Sequence, residues 1–469
     1  SYSGSLRKKR LRTERNGKSI CALQKGIVVR RSRTVKSLGD AEAFRKSFYG
    51  GFMKKLCAVF CVAAAAAFSV PSVHAAEKPV VLTFWSLFTG GDGEFFNEMI
   101  AEFNRTHKDI RLKSDPAKYT DYYTKLTTAL ASKKAPDIVV VHRDSMLPFV
   151  KSGTLYALDD VMKKINAPMN DFVPAPLNAC RFNGKLYSIP LDVHPIIMYY
   201  NKDLLAKAGI AKVPESYDEL VRAAKTVQEK TGAVGLGVDN TTATYKAYTL
   251  ARIFVSGMGQ KGGSVLTADC KKAAFNNKDG AEVVQGLIDS VNRYGITPKG
   301  YDYDSAMTDF RLGKTAFYIN GVWATGALEK QAGLNFAAVP FPALMGKAGA
   351  WAGSHTLAIP VQRKMDPKKV EAAAKFIIWM TQHGEMWAKA GHIPTMLSVR
   401  EKREFKALPY RAGYVAAAES VIAAPNTGAW QEIYDNLSDM LEAAVAQNQN
   451  GVQAVAGMEK KVNEILASY

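Results

Sequence analysis

The residues able to do chemistry in this chain are histidines, scattered aspartates and tryptophans placed near the ends of apolar runs. Downstream of residue 75 the histidines are His107, His142, His194, His355, His383 and His392, with neither HxxxH nor CxxC spacing, so linear spacing suggests no metal centre. Ser354 and His355 are adjacent and no GxSxG occurs. A nucleophile and its base must face each other from separated positions, so acyl transfer is not supported. Asp92, Asp192 and Asp239 leave open a hydrolase that works with two carboxylates across a cleft. The aromatic pattern points elsewhere: Trp85, Trp323 and Trp351 fall at strand ends or loops, whereas Trp387 and Trp430 sit in helical context. An indole face covers the C–H face of a sugar ring while carboxylates and amides take its hydroxyls.

The elements that must position these groups alternate strand and helix. VVLTFW (Val80 to Trp85) reads as a buried strand, and a turn-rich loop from Thr89 to Gly93 follows it. Phe95, Phe96, Met99, Ile100 and Phe103 then recur at helical spacing. A strand, a glycine loop and a helix start aim free backbone N–H groups at a ligand, which makes Ser86, Gly90, Gly91 and Asp92 candidate contacts. Pro136 to Val141 (PDIVVV) is a second buried strand, and His142, Arg143 and Asp144 follow at its carboxyl end. Ligands of open α/β sheets sit outside the carboxyl ends of strands. Ser216 to Glu219 forms a capping box, and a short strand from Gly235 to Val238 delivers Asp239. A further strand brings Asn320, Gly321 and Trp323 to its end, and Trp351, Gly353, Ser354 and His355 precede another. A long helix starts at Asp366-Pro367 and is expected to run to Gly391.

Gly184 to Leu205 (GKLYSIPLDVHPIIMYYNKDLL) organises the rest. Proline cannot donate to a central ladder, so Pro190 and Pro195 mark a strand that leaves one sheet for another. Asp192 and His194 lie between them, at the crossing itself. Similar breaks near Pro340 and Pro394 predict three crossings and two discontinuous lobes: 78–190 with 342–393, and 194–338 with 398–469, joined at 191–193, 339–341 and 394–397.

The formal charge of +19 is concentrated upstream, with +13 of it in residues 1–75. The remainder lacks the basic stripe with interleaved aromatics that nucleic acid requires, so no nucleic-acid partner is expected. Met53-Lys54-Lys55, an apolar segment over 56–70, Pro71 and Val73-His74-Ala75 compose a secretory signal cut after Ala75. The apolar segment is short for ~30 Å of hydrocarbon. Residues 1–52 read as a basic leader upstream of the true start at Met53, and 53–75 as the signal peptide. Cys180 and Cys270 are expected to be separate thiols.

Taken in order, FWS followed by the glycine loop, PDIVVV, YYNKDLLAKAGI with its capped helix, GKTAFYINGVW and the Trp351-to-His355 segment closely resemble the family 1 extracellular solute-binding proteins of ABC importers, the relatives of maltose-binding protein. The resemblance spans residues 78–469. It implies an α/β fold of the two-lobed periplasmic binding protein type (type II), a solute held in the cleft, no catalysis, no cofactor, and delivery to a membrane permease by a periplasmic monomer. It carries cleft positions onto Trp85, Gly90 to Gly93, His142, Arg143, Asp192, His194, Asp239, Asn320, Gly321, Trp323 and Gly353 to His355. The expected solute is a sugar or related polyol. A secreted hydrolase, or a receptor for a phosphorylated polyol bound through Arg143 and the glycine loop, are the alternatives.

Overall fold

The computed structural model describes residues 78–469; the expected leader and signal peptide lie outside the described residues. Two open sheets organise the chain. The first has five strands in the order Ile110–Pro116, Val80–Ser86, Ile138–His142, His355–Ala358 and Ile189–Pro190. Its strand Ile138–His142 is fully buried from Ile138 to Val141, as expected of a β-branched run in a parallel pair covered on both faces. The helix Gly93–Thr106 buries Phe95, Phe96, Met99, Ile100 and Phe103 on the sheet, with Phe84 and Phe96 in an edge-to-face contact at 5.3 Å. Each such side chain removed from water stabilises the packing by about 1.5–3 kcal/mol before entropy is counted.

The second sheet has seven strands built around the strand Asp192–Asn201, which pairs with Thr315–Gly321, Phe336–Pro340, Ala350–Gly353 and Ile393–Pro394. The crossing predicted in Gly184 to Leu205 therefore falls at Leu191, between Ile189–Pro190 of the first sheet and Asp192–Asn201 of the second. Asn201 then caps the helix Lys202–Ala208, accepting from the N–H groups of Asp203 and Leu204, and Gly209 at φ 74° closes it. The Ser216 hydroxyl accepts from Glu219 N–H and opens the helix Tyr217–Thr231.

Two expectations need correction. The second passage between sheets falls at Ser354 rather than at 339–341, because Ala352 and Gly353 pair with Pro195 and His194 while His355–Ala358 pairs with Ile138–His142. Residues 350–353 thus belong to the second sheet. The expected long helix is two helices, Pro367–Gln382 and Gly384–Ala388, broken at His383, whose backbone (φ −106°, ψ 28°) is not helical. The third passage runs from the second of these helices, whose Trp387 packs in the first core, into Ile393–Pro394. Met396 and Val399 still pack in that first core. Among the described residues no helix is long and apolar enough to cross a membrane, and Cys180 and Cys270 are unpaired thiols.

Candidate functional site

Strand register assembles the site. Pairing His355 opposite His142 puts a histidine from each of two antiparallel strands side by side, with ring centroids 4.7 Å apart. Pairing Gly353 with His194 brings the crossing strand against the same place, and the His194 and His355 rings lie 4.1 Å apart. Pairing Val193 with Ile393 and Asp192 with Pro394 sets His392 beside Asp192.

The rings of His142, His194 and His355 form one wall of a cavity of about 340 Å³. The loop Thr89 to Asp92 forms a second wall. Facing them are Asp239, Tyr248, Arg252, Trp323, Trp351 and Tyr434. Arg252 is held flat by its neighbours: its guanidinium carbon lies 4.9 Å from the Trp323 ring and 4.9 Å from the Trp351 ring. Among the described residues it forms no ion pair with a carboxylate, and its Nε finds no hydrogen-bond partner. A guanidinium so placed has donors available to whatever enters.

Burial dominates the electrostatics. It raises the carboxyls of Asp144 and Asp239 above the ordinary range. It also lowers His142 well below the usual imidazole value and, with the neighbouring His355, brings His194 down to about 3, so both rings are neutral at pH 7. Tyr123 holds His142, its hydroxyl 2.7 Å from Nδ1 and accepting from the backbone N–H at 2.9 Å.

Asp192 behaves differently from Asp144 and Asp239. Burial opposes its ionisation, but His355, His392 and His194 outweigh that and hold it well below the usual carboxylate range. Oδ1 lies 2.8 Å from His194 Nδ1 and accepts from His355 N–H at 3.0 Å; Oδ2 lies 2.8 Å from His355 Nδ1 and accepts from Trp387 Nε1–H at 2.6 Å. It stands behind the cavity wall, with no surface left for a solute.

Of the positions expected from sequence, Gly90, Gly91, Asp92, His142, His194, Asp239, Trp323, Trp351 and His355 line the cavity. Trp85, Ser86, Arg143, Asp192, Asn320, Gly321, Gly353 and Ser354 do not. Trp85 faces the other way, with the Lys125 ammonium 4.0 Å over its ring. Arg143 Nε donates to Ala179 O at 3.3 Å, and Ser86 is wholly buried. The backbone carbonyl of Ser354 accepts from Arg143 N–H. Asn320 accepts from Gly321 N–H and donates to the Tyr318 hydroxyl.

Gly321 and Gly353 act through their lack of a side chain: a Cβ at Gly321 would lie 1.9 Å from the Trp323 ring, and one at Gly353 would lie 2.3 Å from His194 Nε2. They position the cavity's rings without touching its contents. Arg252, Tyr248 and Tyr434 were not anticipated. They project from the helices Tyr248–Gln260 and Trp430–Ala446, whose sequence signal is an apolar face, and a polar residue beside that face carries no mark of what it points into. Asp192, His194, His355 and His392 offer donor atoms within 4.8 Å of one another, a cluster that linear spacing concealed.

Comparison with known proteins follows the same lines. Residues 89–387 match the family model described as bacterial extracellular solute-binding protein. The arabinooligosaccharide-binding protein of Bacillus subtilis is 27% identical over 342 residues, covering 69% of this chain and 75% of that protein. The maltotriose-binding protein of Pyrococcus abyssi is 22% identical over 401 residues, covering 82% of each. Among solved structures, the maltose-bound MalE3 of T. maritima superposes with a TM-score of 0.73 at 22% identity, over 82% of this chain and 100% of that one. The cyclic alpha-maltosyl-1,6-maltose binding protein of Arthrobacter globiformis gives 0.67 at 25% identity, over 83% and 100%. The family and these relatives are binding proteins, which sets the hydrolase alternative aside. The chain belongs to the bacterial extracellular solute-binding protein family.

Proposed function

We propose that this protein is a periplasmic receptor that binds a sugar or related polyol between its two sheets and delivers it to the membrane permease of an ABC importer. The observation that carries the reading is the composition of the cavity. Indole and phenol rings supply flat apolar faces, Asp92 and Asp239 supply acceptors, and Arg252 supplies donors. That set matches a ring with C–H faces and hydroxyl edges. The relatives named for oligosaccharides support the same solute class.

Contacts of the cavity come from both sheets, so a solute held there favours the conformation in which the lobes meet. Such hinge closure is known for periplasmic binding proteins, and the solute shifts the equilibrium only by its differential affinity for the two states. Export through a signal cut after Ala75 and action as a monomer complete the proposal. Intrinsic tryptophan fluorescence and thermal shift against a panel of mono- and oligosaccharides test it. A saturable change with at least one saccharide is expected; silence across the panel would overturn the sugar assignment. Intact mass of the exported protein tests cleavage, and a chain that still contains Cys57 would refute it.

A phosphorylated polyol is the second reading, favoured by the guanidinium of Arg252, which makes no ion pair with a carboxylate among the described residues, in place of the expected Arg143. Mass spectrometry of the ligand that co-purifies with the protein separates the two.

A further inference from the structure

We propose that Asp192, His194, His355 and His392 form a binding site for one divalent transition-metal ion of the zinc class, set where the three passages of the chain between the sheets meet. The four residues come from three separate segments, and their donor atoms all lie within 4.8 Å of one another. They are three imidazoles and one carboxylate, the nitrogen and oxygen donor set that suits zinc and its neighbours. Metal–ligand bonds of about 2.0–2.2 Å put adjacent donors roughly 3 Å apart. The nitrogens of His194, His355 and His392 stand 2.8, 2.8 and 3.2 Å from the Asp192 oxygens.

His392 distinguishes a metal site from a closed hydrogen-bond network. Four donors already fill the acceptor sites of Asp192: the rings of His194 and His355, the N–H of His355 and the indole of Trp387. His392 is surplus to that arrangement. Its ring is 0% exposed, yet among the described residues neither ring nitrogen has a hydrogen-bond partner. A buried polar group without a partner needs an explanation, and an unrecorded ion is one of the standard ones. A metal ion would take the Nδ1 lone pair.

The surroundings are those of an outer shell that orients metal ligands. His392 Nε2 faces Asp92 Oδ2 at 3.6 Å, Trp387 donates to Asp192, and the Trp387 indole stacks on the His392 ring at 4.3 Å and 2°.

The site is also coupled to the cavity. With Nδ1 bound to metal, His194 and His355 must carry their proton on Nε2 and become donors; with Nδ1–H bonded to Asp192, Nε2 is an acceptor. Both rings line the cavity. Metal occupancy therefore decides whether these two rings offer the solute a donor or an acceptor.

The test needs no solute, so a failed saccharide panel leaves it intact. The purified protein, without a polyhistidine tag, is stripped with EDTA, dialysed and titrated with Zn²⁺, with Co²⁺ as the spectroscopic probe. One retained equivalent by elemental mass spectrometry, a raised unfolding temperature and a visible Co²⁺ band displaced by Zn²⁺ are expected. His392→Gln should lose that equivalent while keeping the wild-type circular dichroism, and His107→Gln should keep it. Absence of retained metal and of thermal shift with Zn²⁺, Co²⁺, Ni²⁺ and Mn²⁺ overturns the proposal, as does unchanged binding in His392→Gln. Should His392→Gln fail to fold, anomalous scattering from crystals of the Zn²⁺-soaked wild type decides. An ion among the four residues supports the site, and no ion there overturns it.

Discussion

Gly353 makes room for His194. The two are paired across antiparallel strands, and a Cβ on residue 353 would stand 2.3 Å from His194 Nε2. Gly353→Ala must therefore move either the histidine ring or the strand, and overpacking of this kind costs about 1–3 kcal/mol. A lower denaturant midpoint together with weakened solute binding is expected. Gly413→Ala, in the helix Arg411–Ala417 with open space around it, is the matched control. It should be neutral or stabilising by up to about 1 kcal/mol, as for glycine replaced in a helix. Equal losses in the two variants would count against the packing account.

Arg252 offers a test of how the cavity binds. Arg252→Met keeps an unbranched apolar stem but removes the guanidinium that lies 4.9 Å from the Trp323 ring and 4.9 Å from the Trp351 ring, and with it the donors. Hydrogen bonds to charged groups contribute about 1.5–3 kcal/mol, so solute affinity should fall by roughly 10- to 100-fold. Isothermal titration with the co-purified solute measures this, and wild-type affinity would remove Arg252 from the binding set.

Asp239 is held by the fold at a cost. Burial raises its carboxyl above the ordinary carboxylate range, so the folded state binds its proton more tightly than the unfolded state does. Sign follows from linkage: the charged group weakens the free protein increasingly as pH rises from about 4 through the raised pKa. Asp239→Asn should be more stable than wild type at pH 7 without solute, converge with it in acid, and bind solute poorly. Urea unfolding at two pH values checks the first two claims. A variant less stable at pH 7 would refute the assignment.

Cys180 and Cys270 should differ in reactivity. Burial pushes the Cys180 thiol up to about 11, and its Sγ donates to Pro176 O at 3.4 Å, whereas Cys270 is half-buried. The thiolate is the reacting form. At pH 8 under native conditions an alkylating reagent should label the peptide carrying Cys270 and spare the one carrying Cys180 until denaturant is added. Peptide mapping by mass spectrometry reads both sites.

Local pattern made the alternation of strand and helix readable before any coordinates, because period and capping act within a few residues. Phe95 to Phe103 declare a buried helical face, Ser216 declares a helix start, and Pro190 with Pro195 declares a strand that cannot stay in one sheet. The carboxyl ends of strands were likewise good guides to His142, Asp239 and Trp323. The same reasoning erred where the deciding contact was distant. Ala350–Gly353 belongs to the second sheet because it pairs with the crossing strand, a choice that its own residues do not encode.

What the sequence by itself determined is the alternation of strand and helix, a crossing within Gly184 to Leu205 and the resemblance to the family. Tertiary structure alone decided which side chains meet. Asp192 reads as a cleft contact on a crossing strand, yet three chain passages close around it and turn it into the buried centre of a histidine cluster. Gly321 and Gly353 read as ligand contacts, yet they serve by being small beside Trp323 and His194. Arg252 carries no mark in the sequence, yet the fold sets its guanidinium 4.9 Å from each of two indole rings. The physical reason is common to all three. Secondary structure is fixed by neighbours in sequence, whereas burial, pKa and access to the cavity are set by partners often more than a hundred residues away.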